Sequence, residues 1–115
     1  MMNKHAKLEV IINKYPKYIK YYDIIKYCKP KMYKILKQNR SIEHVLFWYA
    51  CDYIQGRWPE AEPYIMLDPK YAYKYARWII HGRWPEIEPI IMKDAGWAYY
   101  YTRDVIRGRW PEDHI

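Results

Sequence analysis

The chain has little of what closed catalytic or metal sites are built from: two cysteines, four glycines and four histidines in 115 residues. Cys28 and Cys51 stand at no metal-ligand spacing and within no disulfide framework, so they read as free buried thiols. His5, His44, His81 and His114 are scattered, and His81 is matched one repeat later by Arg107, which argues against a repeated metal site. There is no Gly-rich phosphate loop, nucleophile elbow or Cys/His cluster. No apolar run approaches the roughly 18 residues of a membrane span, and lysines interrupt the opening stretch where a secretory leader would lie. These absences predict a soluble, cytoplasmic, non-enzymatic protein with no catalytic residues, cofactor or metal.

What is present is charge, and it is uneven. Residues 1–40 carry eleven Lys/Arg against Glu9 and Asp23, a net of +9, whereas residues 41–115 carry nine against eleven acids, a net of −2. A basic region joined to a near-neutral one suggests an acidic partner, either nucleic acid or an acidic protein surface. Lys, Ile, Tyr and Asn also share AT-rich codons, so genome composition is a second source of the same pattern.

Three pentapeptides organise the rest: Gly56-Arg57-Trp58-Pro59-Glu60, Gly82-Arg83-Trp84-Pro85-Glu86 and Gly108-Arg109-Trp110-Pro111-Glu112, spaced 26 residues apart. A fixed period of about 20–50 residues indicates stacked units that bury apolar faces against each other. Each pentapeptide reads as a corner. Glycine supplies the left-handed residue that closes one helix, proline opens the next, and glutamate sits near its positive end. The recurrent Arg and Trp either hold units together or, as Arg57, Arg83 and Arg109, form a ladder facing a ligand. Glu60/Glu62 and Glu86/Glu88 read as helix-opening and ion-pairing carboxylates rather than an acid/base pair.

The expected fold is all-α: tandem αα-hairpins in a short solenoid-like array over 41–115, preceded by a basic helical region over 1–40 in the same domain. Helices are expected over 4–14, over 16–28 with the stripe Tyr18, Ile19, Tyr22 and Ile25, and over about 30–38. Ser41 caps a helix running to about Gln55. Its seam Val45, Leu46, Tyr49, Ala50 and Tyr53 is repeated as Tyr71, Ala72, Tyr75, Ala76 and Ile79, and again as Trp97, Ala98, Tyr101, Thr102 and Val105. Residues 30–55 thus read as a diverged first unit. Asp68 and Asp94 cap the later long helices, while Pro63 and Pro89 keep the intervening helices short, kinked or partly 3-10. Beyond Gly108 no capping unit is recognisable. The last hairpin is expected either to self-associate or bind a partner there, or to be covered by Trp110.

The stretch from Asp68-Pro69 through Ala72-Tyr73 and Tyr75-Ala76-Arg77 to Gly82-Arg83-Trp84-Pro85-Glu86 resembles a tandem repeat found in proteins of bacteriophages and large DNA viruses. That repeat reads approximately D-P-x-x-A-Y-x-Y-A-x-x-V-I-x-G-R-W-P-E-A-E. The resemblance covers about residues 42–115; residues 1–40 do not match it. It implies an accessory protein of a phage or mobile element, a class that often counters host defence by binding and blocking a nuclease or signalling complex, as anti-CRISPR proteins do.

Two candidate surfaces follow. On the long helices, Lys74, Arg77 and His81 share one face, as do Tyr100, Arg103 and Arg107, with Trp48, Cys51 and Gln55 equivalent on the first. Stacked, they would form a partner-binding face, aromatic at one end and cationic at the other, suited to a host protein or ribonucleoprotein. In the basic region, Lys14, Lys17, Lys20, Lys26, Lys31 and Lys34 would contact phosphates or an acidic partner, with Tyr15, Tyr18, Tyr21 and Tyr22 stacking on bases. A groove of Arg and Trp that sequesters a nucleotide signal is a further alternative.

Overall fold

Side-chain caps set the long helices. Ser41 accepts the His44 N–H at 3.2 Å, Asp68 the Lys70 N–H at 2.9 Å and Asp94 the Trp97 N–H at 3.2 Å. Each satisfies a first-turn donor that the helix itself cannot. The helices they open are α4 (Ile42–Tyr49), α6 (Pro69–Tyr75) and α8 (Ala95–Tyr101). These come from a computed structural model that describes residues 6–107. Before them lie α1 (Ala6–Lys14), α2 (Tyr22–Ile25) and α3 (Lys31–Leu36); between them lie α5 (Glu62–Ile65) and α7 (Glu88–Ile91). The protein is all-helical, with no strand among the described residues. Pro63 and Pro89 occupy the second positions of α5 and α7, where a missing N–H does no harm, and Pro85–Ile87 is a 3-10 turn.

All three long helices end alike. The last turn widens to a π turn, over Ala50–Ile54, Ala76–Ile80 and Thr102–Ile106, then stops at a left-handed residue: Gln55 (φ 59°), His81 (φ 62°) or Arg107 (φ 61°). The Gln55 N–H reaches the Ala50 carbonyl, and the Arg107 N–H the Thr102 carbonyl, both at 2.7 Å. This corrects the reading of Gly56 and Gly82 as the left-handed residues. The i to i+5 closure places the corner one residue earlier, and the glycines' own φ lies outside the left-handed range.

Trp58 and Trp84, from the first two pentapeptides, are buried at 8% and 1% exposure. Trp58 packs on Tyr49 (centroids 5.3 Å apart) and Trp84 on Tyr75 (4.9 Å), each ring lying against the long helix that precedes its corner. Pro59 and Pro85 are exposed at the same turns. Arg57 binds Glu62 through two bonds of 2.9 Å, and Arg83 binds Glu88 at 2.9 and 2.6 Å. The Tyr75 hydroxyl donates to Glu62 and accepts the Trp58 N–H, both at 2.7 Å; Tyr101 does the same with Glu88 (2.7 Å) and Trp84 (2.9 Å). Arg57 and Arg83 are therefore committed to these clasps, which replaces the ladder reading. Gly108, Arg109, Trp110 and Pro111, and the C-terminal end expected to self-associate, lie outside the described residues.

The seam is buried as its spacing requires. Val45, Leu46, Tyr49 and Ala50 on α4 and its extension, and Tyr71, Ala72, Tyr75, Ala76 and Ile79 on the next, are all core; Tyr53, Ala98, Thr102 and Val105 are half-buried. The region before Ser41 packs on this body. Tyr21 meets Tyr64 edge-on at 5.2 Å, the Tyr18 hydroxyl donates to the Arg40 carbonyl at 2.5 Å, and the Lys29 N–H donates to the Tyr49 hydroxyl at 2.8 Å. The expected helix over 16–28 is instead a 3-10 helix, Pro16–Tyr21, followed by α2. With three residues per turn, Tyr18 turns inward and Ile19 outward, 55% exposed.

Candidate functional site

Trp78 is 47% exposed, and three adjoining hollows share it as a wall. The largest, about 490 Å³, lies between the π turns that extend α6 and α8. It is lined chiefly by Arg77, Trp78, His81, Arg103, Asp104 and Arg107. The second, about 360 Å³, is bounded by Phe47, Trp48, Cys51 and Lys74. The third, about 320 Å³, runs past Cys51, Gln55 and His81. Joined at Trp78, they form a groove across the ends of the three long helices. The π turns and left-handed stops govern its shape, because they place His81 and Arg107 at the rim.

Charge in the groove is one-sided. Lys74, Arg77, Arg103 and Arg107 face it, and Asp104 is the one acid among these lining residues. Asp104 binds Arg103 at 2.7 and 2.9 Å and Arg77 at 3.2 Å, and it accepts the Tyr73 hydroxyl at 2.5 Å. Those bonds, from Arg103 first and then Tyr73, hold its carboxyl well below the ordinary range. Asp104 thereby fixes two arginines from different long helices while cancelling one positive charge. Aromatic rings pack beside these charged side chains. Tyr73 lies 5.5 Å from Trp97, 6.2 Å from Tyr100 and 6.1 Å from Trp78, and the Arg77 guanidinium stacks 4.8 Å from the Trp78 ring centroid.

The structure brings Arg77, His81, Arg103 and Arg107 around one hollow, and Trp48 and Lys74 around the next. Tyr100 is drawn into the aromatic cluster, 5.5 Å from Trp97 and beneath the Arg103 guanidinium at 5.0 Å, so it supports the rim more than it forms it. Trp78 and Asp104 were not foreseen. They occupy matched repeat positions, with Asp52 as the third member, so the repeat average reads as a polar face and conceals a tryptophan. The thiols are half-buried rather than buried, and burial pushes both Cys28 and Cys51 up to about 11. Among the described residues no three His, Cys, Asp or Glu side chains gather as metal ligands would, and no helix is long and apolar enough to cross a membrane.

The basic region is arranged differently from its sequence reading. Lys14, Lys17, Lys20 and Lys26 lie over their tyrosine neighbours Tyr15, Tyr18, Tyr21 and Tyr27 at 5.1–5.6 Å, and Lys31 lies over Tyr53 at 5.1 Å. Lys17 also donates to the Asn39 carbonyl at 3.0 Å, and Lys26 pairs with Asp23 at 3.2 Å. Lys31 and Lys34, with Lys7 and Lys37, edge a separate apolar hollow of about 410 Å³ between α1 and α3. Base stacking by Tyr18 is excluded by its complete burial, and Tyr15 and Tyr21 spend ring surface on Tyr18 and Tyr64. Neither known protein families, nor curated proteins, nor solved structures give a match to this chain.

Proposed function

We propose that this is a non-enzymatic binding protein, an accessory factor of a phage or mobile element, that blocks a host protein or ribonucleoprotein complex in the host cytoplasm by direct contact. Its 26-residue units stack as helical pairs in tandem and offer the groove around Trp78 as a rigid docking face. The observation that carries this reading is Trp78 itself, an exposed indole at the junction of three hollows beside four cations and one acid. Tryptophan and arginine in preorganised pockets are the usual anchors of protein interfaces. The excess positive charge selects a partner with acidic groups around an apolar anchor and speeds its encounter.

The test compares wild type with Trp78→Ala and with the double variant Arg103→Ala, Arg107→Ala as baits in host lysate, each retained protein being identified by mass spectrometry and then purified for titration. A partner bound by wild type and weakened at least tenfold by both changes supports the groove. Undiminished binding by both variants would place the interface elsewhere. Nucleic-acid binding by the basic region is the second reading, favoured by the exposed Lys31 and Lys34 beside Lys7 and Lys37. With Tyr18 buried and Tyr15 and Tyr21 packed on other rings, it rests chiefly on phosphate contacts, whose affinity falls steeply with salt and is blind to base identity.

A further inference from the structure

One position on each long helix faces the neighbour that follows, and on two of the three it is covered. On α4 it is Phe47, 2% exposed, with the Tyr71 ring 5.8 Å away; His44, on the same face, bonds the Tyr71 hydroxyl at 2.8 Å. On α6 it is Tyr73, 4% exposed beneath Trp97 and Tyr100, with its hydroxyl on Asp104 and Arg77 donating to it at 2.8 Å. On α8 it is Tyr99, 61% exposed, with the Arg103 guanidinium 5.6 Å from its ring. Tyr99 and Arg103 thus stand one repeat on from Tyr73 and Arg77, with Arg103 steadied by its two bonds to Asp104, but no described helix lies over them.

The helices that do the covering share a pattern. Tyr71, Lys74 and Trp78 lie on the α6 side of the α4 contact; Trp97, Tyr100 and Asp104 lie on the α8 side of the α6 contact. The side chain seven residues on differs with the ring opposite: the apolar Phe47 shares a hollow with Trp78, whereas the hydroxyl of Tyr73, with its arginine, bonds Asp104. Tyr99 carries a hydroxyl and an arginine one turn on, so its complement is the second kind.

We propose that the outward face of α8, centred on Tyr99 and Arg103, docks an amphipathic helix of a partner protein that bears two aromatic side chains and a carboxylate at positions j, j+3 and j+7. A second folded copy of this chain does not supply that helix. Its Trp97–Tyr100–Asp104 set is already engaged with Tyr73 and Arg77, and the α6 set has Lys74 and Trp78 with no acid. The proposal rests on the stacked reading of the units; it shares Arg103 with the groove but not Trp78, so Trp78→Ala and Tyr99→Ala tell the two apart.

The probe is a labelled peptide of sequence 94–107, the helix that covers Tyr73 within the chain, held helical by a staple linking positions 95 and 99 on its far side. Fluorescence anisotropy with the full chain is expected to show saturable binding. It should weaken at least tenfold with Tyr99→Ala in the chain and with Asp104→Asn in the peptide, and stay unchanged with Tyr27→Ala. The Tyr99→Ala chain should melt as the wild type does, since that side chain is exposed. No saturable binding, or equal binding by the Tyr99→Ala chain or the Asp104→Asn peptide, overturns the proposal. So does a concentration-dependent dimer in sedimentation that Tyr99→Ala abolishes, which would assign the face to a second copy.

Discussion

Tyr75 donates a 2.7 Å hydrogen bond to Glu62, thirteen residues before it, and accepts the Trp58 N–H on the same oxygen at 2.7 Å. One phenol therefore ties a long helix back to the corner that opened its unit, and Tyr101 repeats the arrangement with Glu88 and Trp84. Enclosed carboxylates of this kind persist because each oxygen is partnered: the arginine bonds both, and the tyrosine shares Oε2. The clasp explains why the recurrent string carries its second glutamate two residues beyond the first. Glu62 and Glu88 take the arginines, while Glu60 and Glu86 stay exposed.

Removing that oxygen is expected to be costly out of proportion to its size. Tyr75→Phe keeps the ring and leaves Glu62 its two bonds from Arg57, but strands the buried Trp58 N–H, a loss of about 1–3 kcal/mol for an unsatisfied buried group. Tyr27→Phe, at a side chain 77% exposed, is expected to shift stability by no more than about 0.5 kcal/mol. Urea denaturation of the two variants gives the comparison. Equal midpoints would mean that the clasp contributes nothing measurable.

Acid should unfold the protein in two stages. Burial, followed by the nearby charges of Arg40, Lys70 and Lys74, holds His44 below its ordinary 6.5. The unfolded chain then takes up this proton more readily, so the stability His44 contributes is complete above pH 6.5 and declines as pH falls toward its folded value. Burial pushes Glu62 upward, but the bonds from Arg57 and Tyr75 outweigh it and leave the carboxyl below its ordinary 4.5; Asp104 lies below its ordinary 3.8. Their contribution is present above those values and is lost as pH falls through the lowered ones. Urea midpoints should therefore drop below pH 6.5 and drop again below 4.5. His44→Gln should remove the first step and Glu62→Gln should shrink the second; a midpoint that rises between pH 7 and 5 contradicts the assignment.

The thiols offer a footprint of the groove. Burial raises Cys51 to about 11, and it lines the hollows beside Trp48 and Trp78. With little thiolate at neutral pH, native Cys51 should react with a disulfide reagent more slowly than the same thiol in urea, by tenfold or more. A partner seated in the groove should slow it further, and Cys28→Ser isolates the signal. An unchanged rate in the bound state would show that the partner leaves this hollow open.

Legibility in the sequence followed the kind of interaction involved. The caps at Ser41, Asp68 and Asp94 depend on local hydrogen bonds and could be read directly, as could the seam through Tyr75 and Ala76, which depends on helical period alone. Ile19 was misplaced because the choice between 3-10 and α winding over Pro16–Tyr21 is made by tertiary packing of Tyr18, not by local pattern. The cationic half of the groove could be read because Arg77 and Arg103 recur. Its centre could not, since Trp78 replaces an aspartate found at the matching positions, and averaging over repeats erases such a substitution.

The left-handed stops separate stability from function. A side chain in that conformation costs about 1–2 kcal/mol relative to glycine, and glycine gives back about 0.4–1 kcal/mol through the greater freedom of the unfolded chain. Gln55→Gly should therefore stabilise the protein by roughly 0.5–1 kcal/mol, the balance of those two effects. His81→Gly should stabilise it similarly, because His81 has the same φ within a few degrees. The outcomes diverge in binding. Gln55 lines only the smaller hollow, whereas His81 lines two of the three that meet at Trp78. The chain keeps a strained histidine where glycine would fit better, and strain retained at a rim is what a functional side chain would require. Thermal melts paired with partner titration decide it: both variants more stable, with only His81→Gly weakened in binding, is the expected result, and full binding by His81→Gly would leave the strain at residue 81 without a role in the groove.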